Sequence, residues 1–464
     1  MKLLKTKEVK IGIIFSPIYL NYLLNLYNKN DISKILNFNY ENLLITVFLF
    51  TFLFLIGNSI KKSMKIDTVS IGIVAYLFSF FIVDNISLFI TTQLKLYEIF
   101  LITNFLWFIY LLLISKEFKY SISALGTYFA LNFFSNKLLK NLIADSNIIG
   151  DVYDFHYPHV KNIYENGYFY SINNPVLEGY PQFLNYIQAL LNNIIINLDN
   201  YIYLTPSTNI LYFLTILLFL EIDLNRNVRF FMIATFTIFV FNSAWIKFLF
   251  LDSLMVEGLV SYLFATTLNA VHDCVKSESK YNYLIFSLFG LLYLSKQFIS
   301  LVTLLMLLIF LYKKNYRKYL IFGFSGLIIQ EISYRTFFYN LDKNYHFKQI
   351  DLKDTVLDLL LFRDLNLNNI NLIIKNIFVD KPLSFLLFIF FLFFFQKSSK
   401  YFPSNFRFSS NALSIFLNLI FIFLLYISVW KNMELESPIR YLLSFLHITF
   451  ITLFFMTEKI VSRK

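Results

Sequence analysis

The chain has 464 residues, 58% of them apolar and 15% charged, with a net charge of +11 and a single cysteine, Cys274. An ordinary soluble domain holds roughly 45–50% apolar and about 25% charged residues, so a water-soluble enzyme and a disordered chain are excluded. One cysteine cannot close an internal disulfide, which excludes a disulfide-stapled secreted scaffold. The positive charge does not point to nucleic acid, because the basic side chains fall in short clusters between apolar runs, as they do in the cytoplasmic loops of a membrane protein.

A lysine-rich start leads into an apolar stretch at 11–26. This resembles a signal peptide, but no small-residue cleavage site follows, so a retained first helix with its N-terminus inside is expected. Apolar runs follow at 43–60, 69–90, 99–114 and 120–136, and then, after a long polar-aromatic stretch, at 204–220, 230–249, 254–272, 283–295, 298–312, 319–334, 384–396, 411–429 and 441–456. The apolar share, roughly 270 residues, suffices for about fourteen crossings at around 20 residues each. The expected fold is an all-α polytopic membrane protein of about fourteen transmembrane helices with large extracytoplasmic loops.

The charges orient this map. Lys61, Lys62 and Lys65 share one connection, and Lys116 and Lys119 fall two helices later. Arg226 with Arg229, Lys276 with Lys280, then Lys313, Lys314, Arg317 and Lys318, then Lys397, Lys400 and Arg407, and finally Lys459, Arg463 and Lys464 follow. With fourteen helices and the N-terminus inside, every cluster lands on the cytoplasmic side, and both termini are cytoplasmic. The expected location is the cell membrane, the inner one in a bacterium. The agreement requires that the apolar segment 180–198 does not span, so it is read as an interfacial or re-entrant helix. Two outer segments result, 137–203 and 335–383, and long loops are where function concentrates.

Segment 137–203 carries Asp145, Asp151, Asp154, Glu165, Glu178 and Asp199. Within it, Pro158 suits the first turn of a helix and Gly167 its C-terminal cap, so Asp151, Asp154 and His156 are expected just before a short interfacial helix. Such a group suits a general base or a metal site at the membrane surface, and equally a solvated, capped loop. His156 and His159 are candidate metal ligands, though two His and two Asp without fixed geometry are a weak metal signal.

Asp151, His156 five residues on, Pro158, and a short helix ending in Asn166-Gly167 resemble the first outer loop of the GT-C glycosyltransferases, with Phe155 in place of the usual Tyr. Gly179-Tyr180-Pro181 resembles that family's following Tyr-Pro step, and Leu251-Asp252-Ser253 the acidic residue at the outer start of a later helix. Ser295-Lys296-Gln297 resembles a Lys-containing step between two helices, and Arg440-Tyr441 the Arg-Tyr at the start of the last helix. The five occur in family order over 120–456, and the charge-derived topology puts all of them on the outer face. Residues 1–119 fall outside the resemblance, which divides the chain into an N-terminal group of helices and a GT-C-like catalytic region at 120–464.

The resemblance implies sugar transfer from a polyprenyl-phosphate-linked donor to an acceptor hydroxyl at the outer face, with inversion. Asp151 is then the expected base and Asp154 the alternative. Lys296 and Arg440 are expected on the phosphate, Arg335 as a third cation, and His156, Tyr180, Asp252 and Tyr441 at the substrate. The partners are the lipid-linked donor, a glycan, lipid or protein acceptor, and the bilayer. A divalent cation, magnesium or manganese, is the one candidate cofactor. The competing readings are a transporter or flippase of lipid-linked sugars, and a polysaccharide polymerase or ligase. The plainer alternative for Lys296 and Arg440 is to anchor helices at the interface, and for Asp252 to be a helix N-terminal carboxylate. Glu257 lies deeper and is expected to face a cavity or partner. Asp84 is expected to be solvated near an outer helix end, and His272 and His447 to be structural.

Overall fold

The computed structural model describes residues 40–90, 94–114, 118–138, 157–168, 183–195, 204–241, 256–277, 281–295, 297–329, 406–428 and 443–462. No strand occurs among the described residues. The helices in chain order are α1 (Tyr40–Met64), α2 (Val69–Ile90), α3 (Leu96–Ile109, continued by a π turn at Tyr110–Ile114), α4 (Phe118–Leu138), α5 (Tyr157–Asn166), α6 (Phe183–Ile195), α7 (Leu204–Glu221) and α8 (Arg226–Phe241). They continue with α9 (Glu257–Ser277), α10 (Asn282–Leu291, extended by a 3-10 turn at Leu292–Leu294), α11 (Gln297–Phe310), the single turns α12 (Lys314–Arg317) and α13 (Leu320–Gly323), α14 (Phe406–Ser428) and α15 (Leu446–Ser462).

Segments Leu43–Met64, Val69–Ser87 and Leu96–Leu113 are long and apolar enough to cross a membrane. Shorter apolar helices occur at Ile122–Phe133, Asn209–Glu221, Asn282–Leu294, Ile299–Phe310 and Leu446–Phe455. On α3 and α4 the outward side chains are themselves apolar: Phe105, Leu113, Phe129 and Phe133 are each more than 60% exposed. Such a surface is a liability in water and matches lipid tails. Polar side chains in these helices turn back onto their own backbone. Thr51 donates to Val47 O, Ser59 to Leu55 O, Asn85 to Phe81 O and Asn104 to Phe100 O, each four residues back. Intrahelical satisfaction of this kind makes a polar group tolerable where no water is at hand.

The chain forms two compact units. One holds 31–221 and 243–341, the other 1–30, 222–242 and 342–464. In the first, α1 packs against α2, α4 and α7, so described helices on both sides of residue 120 belong to one body. The α1–α2 pair crosses at glycines: a Cβ on Gly72 would lie 2.3 Å from the Gly57 carbonyl oxygen. The N-terminus of α2 is capped from far along the chain. Glu221, the last residue of α7, accepts hydrogen bonds from the Val69 and Ser70 backbone N–H groups at 2.5 and 2.9 Å, and from the Ser70 hydroxyl at 2.6 Å. This brings the connection carrying Lys61, Lys62 and Lys65 to the same end as the C-terminus of α7.

Further on, α9 and α10 pack as a pair. Asn282 donates to Cys274 O at 2.8 Å and to the Tyr319 hydroxyl at 3.0 Å. The expected run at 319–334 is interrupted among the described residues: α13 ends at Gly323, Phe324 is a turn, and helix resumes at 325–329. Gly290 of α10 lies against this break, since a Cβ there would come within 2.0 Å of the Gly323 carbonyl. Hydropathy reports burial and not backbone geometry, so it misses the break. In the second unit α15 packs against α8 and α14, with Phe236 against His447 and Phe450 at 5.4 and 5.3 Å between ring centres.

Candidate functional site

The short helix expected after Asp151 and His156 is present as α5, from Tyr157 to Asn166. Pro158 sits in its first turn, where a missing N–H costs nothing. Gly167 ends it in the left-handed region at φ 89°, and its N–H donates to Ile163 O at 2.9 Å. Glycine adopts that conformation without a Cβ clash, which is why the chain turns here. The face carrying His159, Val160 and Ile163 is buried against α3 and α6. The opposite face exposes Lys161 and Glu165, 3.9 Å apart. An exposed pair of this kind contributes only about 0.3–0.5 kcal/mol, so docking rests on the buried face.

Helix α6 comes from the segment at 180–198. Its thirteen residues are all buried, including Asn185, Gln188, Asn192 and Asn193. At 1.5 Å per residue it is about 20 Å long, short of the roughly 30 Å hydrocarbon core. A helix lying in the interface would show one face to water. This one is enclosed by α1 to α5 and α7.

An aromatic cluster joins α2 to this segment. Phe81 packs on Tyr168, Phe183 and Tyr186 with ring centres 5.1, 4.8 and 5.4 Å away, and Tyr168 lies 5.5 Å from Tyr186. Asp84, one turn beyond Phe81, is 2% exposed. Its carboxyl lies beside the fully buried Tyr186 hydroxyl, short of a well-formed hydrogen bond, and Tyr168 packs against both Phe81 and Tyr186 next to it. Burial, followed by the nearby Asp84 charge, pushes the Tyr168 hydroxyl above its ordinary range, so it remains a donor. The expectation that Asp84 is solvated is therefore corrected. The residue does lie near the C-terminal end of α2, but Tyr168 and α6 cover that end. A carboxylate inside an apolar run was the available signal, since such residues tend to face a partner.

Among the described residues, Glu257 is the first residue of α9 and is buried, a position where the helix dipole favours a carboxylate. His272 is buried with Nδ1 3.0 Å from the Tyr316 hydroxyl, and His447 is buried beside Phe236, both in structural settings. The expected step at Lys296 falls between the 3-10 turn ending at Leu294 and α11 starting at Gln297. Asp151, Asp154, His156, Tyr180, Asp252, Lys296, Arg335, Arg440 and Tyr441 themselves lie outside the described residues. So does segment 335–383. The described residues contain no group of three or more His, Cys, Asp or Glu able to hold a metal ion. The candidate cation ligands Asp151, Asp154 and His156 are outside that set, and His159 is buried within α5. No family model, no curated protein sequence and no solved structure matches the chain.

Proposed function

We propose that the chain is a membrane glycosyltransferase of the GT-C type, with about fourteen spans and both termini cytoplasmic. It would transfer a sugar from a polyprenyl-phosphate donor to an acceptor hydroxyl at the extracytoplasmic face. The observation that carries the reading is local. The family pattern demands a short helix after the acidic residue and the His-x-Pro step, closed by glycine, and α5 with its Gly167 cap has that form.

In this reading the Asp151 carboxylate takes the proton of the acceptor hydroxyl. The acceptor oxygen then attacks the anomeric carbon from the side opposite the lipid phosphate. The carbon–oxygen bond to phosphate breaks, its electron pair leaves with the polyprenyl phosphate, and the anomeric configuration inverts. A phosphate needs no general acid to depart but needs positive charge beside it, the role of Lys296 and Arg440. Arg335 is the weaker third cation, and His156, Tyr180, Asp252 and Tyr441 contact the sugar or acceptor. A divalent cation would supply further charge at the phosphate.

The test is sugar transfer from a labelled polyprenyl-phosphate sugar by the purified protein in proteoliposomes. Asp151→Asn keeps the side chain's size but cannot take the proton, and turnover is expected to fall about a hundredfold or more. Asp154→Asn should cost less. Normal transfer in both variants would reject this loop as the catalytic centre. One observation favours a second reading, transport of a lipid-linked sugar: Asp84 and Glu257 are buried at helix positions, as charges on a transport path are. Movement of the labelled lipid between leaflets without sugar transfer would establish it instead.

A further inference from the structure

Asp84 belongs to the part of the chain for which the glycosyltransferase resemblance has no counterpart. It nevertheless meets the acidic segment at its core. Phe81 and Asp84 are one turn apart on α2 and so share a face. That face receives Tyr168, immediately beyond the Gly167 cap of α5, and Phe183 and Tyr186 in the first turn of α6. Both tyrosines and Asp84 are buried. Removing a carboxyl and two phenol hydroxyls from water is costly unless they answer one another, so an arrangement that brings all three together selects one placement of α5 and α6.

We propose that Asp84 is a positioning residue. With the hydroxyls of Tyr168 and Tyr186 it forms a polar clamp that holds α6, and Tyr168 just beyond the Gly167 cap of α5, against α2, and thereby sets the placement of these two helices. The inference rests on the glycosyltransferase reading for its functional consequence, and the three-group clamp is independent of it. Segment 157–195 contributes two of the three groups and α2 the third, so the N-terminal helices complete the site rather than merely precede it.

The test uses the full-length protein in nanodiscs, as wild type, Asp84→Leu, Asp84→Asn, Tyr186→Phe and the Asp84→Leu/Tyr186→Phe double variant. Amide hydrogen exchange reads the clamp without any assumption about activity. Exchange in peptides covering 157–168 and 183–195 should rise about tenfold in Asp84→Leu and Tyr186→Phe, with 257–277 unchanged. The double variant should be no worse than the poorer single one, because both remove the same interaction. Asp84→Asn, which keeps the shape and an acceptor, should lie close to wild type.

Sugar transfer is the second readout. A clamp that places the base without touching the donor should lower kcat by about tenfold to a hundredfold in Asp84→Leu while the donor KM stays within about twofold. Unchanged exchange in 157–195, strictly additive effects, or a rise in exchange across the whole chain would each overturn the clamp. A rise in donor KM at constant kcat would overturn the positioning role. If wild type transfers no sugar, the glycosyltransferase reading fails, while the exchange measurement still decides whether the clamp exists.

Discussion

Replacing Glu221 by Gln separates charge from shape at a long-range helix cap in the first unit. Its carboxylate takes two of the orphan N–H groups at the start of α2 and the Ser70 hydroxyl. Glutamine presents one oxygen, and its NH2 must then face an N–H donor. Hydrogen bonds to a charged group contribute about 1.5–3 kcal/mol each when buried, and a carboxylate at a helix N-terminus adds about 0.3–1 kcal/mol. Glu221 is partly exposed, so water replaces some of what is lost, and a net destabilisation of about 2 kcal/mol is expected. In a unit of this size that lowers the melting temperature by about 4 °C. Cys274 supplies the assay, since it is the only cysteine, is buried, and lies on α9, which packs against both α2 and α7. A thiol-reactive fluorophore therefore reports melting of this unit. Ser70→Ala should lower the transition less, and the two changes together should be less than additive because they share a hydrogen bond. A transition for Glu221→Gln within 1 °C of wild type, ~0.5 kcal/mol or less on the same scale, would refute the cap.

The glycine crossings give a contrast. Gly72→Ala and Gly290→Ala place a Cβ 2.3 and 2.0 Å from backbone oxygens, so each should cost about 1–3 kcal/mol in the same thiol assay. Gly126→Ala meets nothing within 4 Å and should be neutral or stabilising by up to about 1 kcal/mol. Orientation is tested by single cysteines at Asn173 and Asn315 in a Cys274→Ala background. An impermeant reagent outside should label the first and not the second, and the reverse pattern would overturn the site assignment. Lys296→Ala and Arg440→Ala should raise the donor KM, and Arg440→Lys should be nearly as damaging, since a planar fork grips two phosphate oxygens and an ammonium does not. Unchanged donor kinetics in all three variants would leave both residues as interface anchors.

The helices themselves were legible in the amino-acid sequence. The run at 69–90 is α2 to the residue, and the runs at 43–60, 99–114 and 120–136 fall inside α1, α3 with its π turn, and α4. The physical reason is that an apolar stretch away from water must satisfy every backbone N–H and C=O within itself, and only a helix does so locally. Pro158 and Gly167 marked the ends of α5 for a similar reason: each acts through its own backbone, independently of what surrounds it. The residues that carry the functional reading are named from the order and spacing of motifs resembling the GT-C family, and of their neighbourhood the described residues supply α5, α6 and the helix boundaries around Lys296.

Other features depend on partners distant along the chain, and no local pattern encodes a partner. Glu221 closes the sequence of α7 and reads as a solvated helix end, yet its function is to cap α2, 151 and 152 residues away. Asp84 reads as a solvated helix end until Tyr168 and α6 cover it. Helix α6 has the apolar content of a span and the amides of a surface helix, and enclosure by its neighbours reconciles the two. The break after α13 lies where the Gly290 and Gly323 backbones approach closely. Backbone hydrogen bonding and hydropathy determine where this chain is helical, whereas which helix end is capped, which carboxyl is buried and which helix is enclosed are decided only when segments far apart in the chain pack together.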